Sequence, residues 1–191
     1  MPQIGWIIDL TKCTGCHTCE VACKMENNTP PILSPLLLKS PYSAVQVNWR
    51  RVLEIESGRY PNVKRSFYTM SCHHCAEPAC MASCPVGAIT KRDKDGVVLI
   101  DQTACIGCKY CSTACPYGAP QFNENTGLME KCTFCVHRLD VGLEPACVTS
   151  CLGGALQWTV DFDAPGVPPD NFADPALTNP SVEWRRDKVR G

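Results

Sequence analysis

Sixteen of the 191 residues are cysteine, and they fall into four groups of four with none left over. The first group, Cys13, Cys16, Cys19 and Cys23, is spaced C-x2-C-x2-C-x3-C, and the third, Cys105, Cys108, Cys111 and Cys115, repeats that spacing. The second, Cys72, Cys75, Cys80 and Cys84, reads C-x2-C-x4-C-x3-C; the fourth, Cys132, Cys135, Cys147 and Cys151, reads C-x2-C-x11-C-x3-C. Pro116 after the third group completes the run C-x2-C-x2-C-x3-C-P, and Pro85 closes the second group the same way.

Thiolates at these intervals suit iron–sulfur chemistry. Three from one tight loop wrap three corners of an iron–sulfur cube, while the fourth leads away on a turn and ligates a second cluster. Gly15 and Gly107, each just before the second cysteine of its group, let the backbone come close to inorganic sulfide. The rule gives four crossed ligand sets and hence four [4Fe–4S] clusters. They are Cys13, Cys16, Cys19 with Cys151; Cys132, Cys135, Cys147 with Cys23; Cys72, Cys75, Cys80 with Cys115; and Cys105, Cys108, Cys111 with Cys84. Two bland readings compete. Disulfides belong to exported scaffolds, yet no basic stretch followed by an apolar one opens the chain. Zinc sites use C-x2-C pairs but have no need of a third cysteine three residues on. His73 and His74 sit within the second group but are not required as ligands where four thiolates are to hand.

An internal repeat supplies the elements that must hold these loops. Ile8-Asp9-Leu10-Thr11-Lys12-Cys13-Thr14-Gly15-Cys16 matches Ile100-Asp101-Gln102-Thr103-Ala104-Cys105-Ile106-Gly107-Cys108 at six of nine positions. Each copy follows a strand-like run, Trp6-Ile7-Ile8 and Val97-Val98-Leu99-Ile100. After groups two, three and four comes C-x-x-G-A, at Cys84–Ala88, Cys115–Ala119 and Cys151–Ala155, as a short turn returning to a strand. The predicted fold is α+β: two ferredoxin-like double-cluster modules related by the repeat. Residues 1–26 with 127–160 form the first module, on groups one and four, and residues 72–126 form the second, on groups two and three. Residues 27–71 are an insertion with a strand predicted over 45–56 and a turn at Glu56-Ser57-Gly58-Arg59. Asp93-Lys94-Asp95-Gly96 is predicted to turn into the Val97 strand. Residues 161–191 hold five prolines and little periodicity, and are expected as an extended tail lying against a partner.

Composition narrows the function. The apolar fraction of 45% includes the cysteines, so bound metal is expected to help hold the fold. A net charge of −1 gives no field for nucleic acid. No stretch approaches the roughly 20 apolar residues of a spanning helix, so the chain is expected to be soluble or to reach a membrane only through a partner. Lys24, Lys109 and Arg138 are the cations that could tune a neighbouring cluster, though solvated surface charge is the favoured reading, and Tyr110 and Tyr117 read as packing residues. Nothing forms a nucleophile–base–orienter set, so no catalytic residue is assigned and no substrate chemistry is expected within the chain.

Across residues 4–160 the order of the groups resembles the iron–sulfur (beta) subunits of the dimethyl-sulfoxide-reductase family. The resemblance is carried by Ser71-Cys72-His73-His74-Cys75-Ala76-Glu77-Pro78-Ala79-Cys80, by Cys105-Ile106-Gly107-Cys108-Lys109-Tyr110-Cys111 running into Cys115-Pro116-Tyr117-Gly118-Ala119-Pro120-Gln121-Phe122, and by Lys131-Cys132-Thr133-Phe134-Cys135. It implies an electron-transfer subunit with four clusters. Its partners would be a large molybdenum or tungsten bis-pterin catalytic subunit and a membrane anchor linked to quinone, or another acceptor. With no export signal visible, a cytoplasmic or partner-mediated membrane location is expected, while the resemblance also implies the alternative of export beside a signal-bearing partner. The alternative is a free-standing, diffusible polyferredoxin, which would often be more acidic.

Overall fold

The computed structural model describes residues 2–29, 47–163, 166–169 and 172–186. Strand β1, Gly5–Asp9, carries Trp6 and Ile8 into the centre, where neither side chain keeps exposed surface. Helix α1, Thr18–Asn27, starts at His17 in the left-handed conformation and buries Cys19, Glu20 and Cys23. Strands β2, Arg50–Arg59, and β3, Asn62–Ser71, pair antiparallel over their full lengths, from Arg50 opposite Ser71 to Arg59 opposite Asn62. This hairpin lies in the segment where a strand is predicted over 45–56; positions 45 and 46 lie outside the described residues. The predicted turn is displaced. The strand runs through Gly58 and Arg59, and Tyr60-Pro61 make the reversal, because proline fixes φ and has no N–H to give to a ladder.

Short elements follow. Helix α2, Ala79–Ala82, and the hairpin of β4, Ile89–Lys91, with β5, Val98–Ile100, lead to helix α3, Tyr110–Ala114. The predicted turn at 93–96 joins β4 to β5, with Gly96 N–H donating to Arg92 O at 2.9 Å. Strands β6, Gln121–Asn123, and β7, Leu128–Glu130, form another hairpin. The boundary drawn at 126/127 falls in its turn, and Met129 packs with Cys80, Ile89, Val98 and Cys111. Helices α4, Val136–Leu139, and α5, Ala146–Thr149, precede β8, Leu156–Thr159, which pairs antiparallel with β1. The three C-x-x-G-A turns share one shape: Gly87, Gly118 and Gly154 have φ of 64°, 59° and 61°, and Ala88, Ala119 and Ala155 behind them are buried. That φ range favours glycine, which explains the pattern.

The last described segment, within the expected tail, joins the chain's own sheet. A 3-10 turn at Pro175–Leu177 leads to β9, Val182–Arg185, which pairs parallel with β1, so the central sheet is β8-β1-β9. Val182 and Trp184 are buried, the Tyr117 hydroxyl lies 2.7 Å from Thr178 Oγ1, and Ser181 N–H donates to His73 O at 3.0 Å. The prolines do not prevent four residues from completing a sheet.

Cysteines are part of the core. One apolar cluster joins Trp6, Ile8, Phe134, Leu156, Val182 and Trp184 to Cys19, Cys72, Cys75, Cys132 and Cys147. Among the described residues no helix is long and apolar enough to cross a membrane.

Candidate iron–sulfur centres

The local backbone repeats where the spacing repeats. Gly15 and Gly107 have φ of 71° and 68°, and the residues two positions on, His17 and Lys109, have φ of 60° and 67° and cap α1 and α3. A Cβ on Gly15 would strike the Phe67 ring, and one on Gly107 the carbonyl of Gly127. Two closely spaced left-handed openings curl each loop so that its cysteines face one side.

The curled loops produce four thiol sets. Cys13, Cys16, Cys19 and Cys151 line one cavity, with Val52, Thr69 and Leu156 in its wall. Cys72, Cys75, Cys80 and Cys115 line a second, with His73, Tyr117 and Lys131. Cys84, Cys105, Cys108 and Cys111 line a third, with Ile89, Ile100 and Met129. Cys23 lies within electrostatic reach of Cys132, Cys147 and Cys135. Each set takes three thiols from one group and the fourth from another. Among the described residues no three His, Cys, Asp or Glu side chains are arranged to hold a single metal ion. The thiols of the three cavities stand around a space instead, as ligands of a polynuclear body must.

The donor chemistry fits [4Fe–4S] clusters. Burial pushes the thiols of Cys75 and Cys80 up to about 12 and those of Cys111 and Cys132 up to about 11, and drives Cys23 higher still. Such thiols ionise only against a compensating positive charge, which coordinated iron provides. Donors to sulfur are already in place. Phe134 N–H reaches Cys132 Sγ and Leu156 N–H reaches Cys151 Sγ, both at 3.4 Å, and Asn27 Nδ2 reaches Cys23 Sγ at 3.7 Å. Hydrogen bonds of this kind tune cluster potential.

A family model described as a 4Fe-4S dicluster domain matches residues 63–161. A sulfite dehydrogenase subunit of Allochromatium vinosum is 44% identical over 163 residues, covering 81% of this chain and 68% of that protein. An anaerobic dimethyl sulfoxide reductase chain of Escherichia coli K12 is 43% identical over 164 residues, covering 82% and 73%. This protein belongs to the iron–sulfur subunits of the dimethyl-sulfoxide-reductase family. A tetrathionate reductase subunit of Salmonella typhimurium, 42% identical over 153 residues, covers 80% of this chain and 56% of its own length.

Buried thiolates call for cations nearby, and the sequence did not single out the right ones. Lys109 stacks over Phe122 with its ammonium 4.0 Å from the ring centroid, and Arg138 pairs with Glu26 at 3.1 Å. Lys24 donates to Val47 O at 3.0 Å. Among the described residues the deeply buried cations are Arg50 and Lys131, 1% and 3% exposed. Lys131 donates to Val98 O and to Cys132 O. Arg51, next to Arg50 on the strand, faces the other way and caps the group-three turn through Tyr117 O and Gly118 O. Tyr117 packs as expected, whereas Tyr110 is 61% exposed. His73 and His74 are fully enclosed, and burial holds the His73 imidazole down at about 3, as a neutral ring.

Proposed function

We propose that this chain holds four [4Fe–4S] clusters in series and relays electrons between a molybdenum- or tungsten-bis-pterin catalytic subunit and a membrane quinone-linked subunit or other acceptor. The observation that carries this is the crossing of cysteine groups: every group lends its fourth thiol to another group's three. Each cluster, when bound, supplies a centre that accepts and returns one electron. What the chain supplies is their order. Arg50 lies within electrostatic reach of both the Cys19 set and the Cys132 set, Cys132 lies within reach of Cys72, and Cys80 of α2 and Cys111 of α3 share one apolar cluster. The sets therefore follow one another from Cys13/16/19/151 through Cys132/135/147/23 and Cys72/75/80/115 to Cys105/108/111/84.

The relatives support a subunit over a diffusible carrier. Each is named as one component of an enzyme, and the enzymes have different substrates: sulfite, dimethyl sulfoxide and tetrathionate. Substrate choice then lies in the catalytic partner, and the shared iron–sulfur component does the wiring. Membrane attachment, or export beside a signal-bearing partner, would come through the other subunits.

Anaerobic purification tests the reading. A brown protein with about sixteen irons per chain, co-purifying with a large pterin-containing chain, is expected. About eight irons, or a chain that purifies alone from extracts containing its neighbours, would refute it.

A further inference from the structure

Arg50 is a buried cation with no carboxylate. It is 1% exposed, and no ion pair to it occurs among the described residues. Its guanidinium donates to Thr69 Oγ1 at 3.0 Å and to Ser71 Oγ at 2.8 Å, and lies 4.4 Å from the centroid of the Trp6 ring. Its Nε has no hydrogen-bond partner. Two hydroxyls and an aromatic face do not neutralise a charge, and an isolated buried cation is strongly unfavourable. The groups that compensate it are sulfurs. Thr69 Oγ1 is 3.5 Å from Cys19 Sγ, so the guanidinium reaches the first set through one hydroxyl. Cys132 and Cys147 share the core with Cys19 and Trp6, and together with Cys23, all of the second set in the series, they lie within electrostatic reach of the guanidinium. These four thiols favour the charged guanidinium against its burial.

We propose that Arg50 is the shared counter-charge of the two clusters held by Cys13/16/19/151 and Cys132/135/147/23, and that it raises the reduction potential of both. The proposal rests on the four-cluster reading. A [4Fe–4S] cluster gains one negative charge when it takes an electron. A fixed positive charge in a buried, water-poor setting favours that reduced state, and one within reach of two clusters favours an electron on either. Guanidinium suits the task because it stays protonated and its planar fork is fixed by Thr69, Ser71 and Trp6. Lys131 is the buried cation nearest Cys80, so the Cys72/75/80/115 set has a counter-charge of its own.

Redox titration followed by electron paramagnetic resonance tests this on the anaerobically purified full chain with its co-purifying subunits. Signals are assigned to sets by cysteine-to-serine variants. Iron content and the number of signals in the parent protein check the four-cluster reading separately. In Arg50→Gln, the two signals of the flanking sets are expected to fall in midpoint potential. The shift is at least tenfold in the reduction equilibrium, about 59 mV for one electron. The other two signals stay in place. Arg50→Lys, which keeps the charge, restores most of the shift. Unmoved potentials in Arg50→Gln overturn the proposal, as does an equal shift in all four or an Arg50→Lys protein shifted as far as Arg50→Gln. If Arg50→Gln loses iron from either flanking site while Arg50→Lys keeps it, Arg50 serves assembly rather than potential, and the proposal fails.

Discussion

The indole of Trp6 lies flat on the ring of Phe134, centroids 3.8 Å apart and planes 10° from parallel. Trp6 comes from the first strand and Phe134 from between Cys132 and Cys135. The same indole donates its Nε1–H to Cys72 O at 2.9 Å. One side chain thus ties the group-two loop to the group-four loop, and both rings are without exposed surface. Phe134→Ala should cost about 3–5 kcal/mol through lost burial and the cavity left behind. Trp6→Phe keeps the stack but orphans the Cys72 carbonyl, at about 1–3 kcal/mol. Both should lower the temperature at which the cluster absorbance bleaches, Phe134→Ala more. Bleaching of Phe134→Ala at the parental temperature would remove the stack from any structural role.

The ligand crossing makes a sharper claim, which spectroscopy can test. Cys23 stands among Cys132, Cys135 and Cys147, although Cys13, Cys16 and Cys19 are closer in sequence. Cys23→Ser should alter the signal of the cluster on Cys132, Cys135 and Cys147 and leave that on Cys13, Cys16 and Cys19 intact. Cys115→Ser should likewise change the cluster on Cys72, Cys75 and Cys80. A Cys23→Ser protein in which the first-group signal changes would show that the groups close on themselves.

The tight loops of the first and third groups were legible in the sequence because cysteine spacing is a local property: the curl of each loop is fixed by the few residues between its thiols, and Gly15 and Gly107 announce it. The strands at Trp6 and Val97 and the repeated G-A turns were legible for the same reason. Arg50 was not. It stands in a strand beside another arginine, and only the fold shows that Trp6, Thr69 and Ser71 enclose one while Arg51 caps a turn. The burial of Lys131 depends equally on β5 arriving over it. The place of β9 was hidden because its partner, β1, is more than 170 residues away in sequence, and no periodicity in four residues can report a parallel neighbour at that distance.

A surface pairing gives a pH signature. Asp140, at the end of α4, accepts from Arg92 Nη2 and Lys94 Nζ, both at 2.7 Å, joining the group-four segment to the β4–β5 turn. Those hydrogen bonds hold its carboxyl well below the ordinary carboxylate range. A depressed folded pKa stabilises the protein above the unfolded value of about 3.9, and that contribution is lost as pH falls through the folded value. Asp140→Asn should therefore be less stable than the parent at pH 6, with the difference shrinking as pH drops below about 4. High salt should narrow the gap at every pH. A difference that persists unchanged into acid would mean that the carboxylate charge is not its source.

The last strand offers a test of where this end of the molecule belongs. Trp184 is 4% exposed, packs edge-on to Tyr68 and Phe172, and lies in the parallel ladder opposite Ile8. Next to it, Phe172 stacks on Tyr117, whose hydroxyl meets Thr178 at the wall of the Cys72/75/80/115 cavity. Trp184→Ala should cost about 3–5 kcal/mol and loosen that wall as well as the sheet. The expected outcome is faster loss of iron to a chelator, first from the Cys72/75/80/115 site, together with protease cleavage within 172–186 that the parent protein resists without any partner. If the parent is cut there just as readily, β9 depends on another subunit for its place; if iron leaves all four sites at one rate, the wall is not what holds the third.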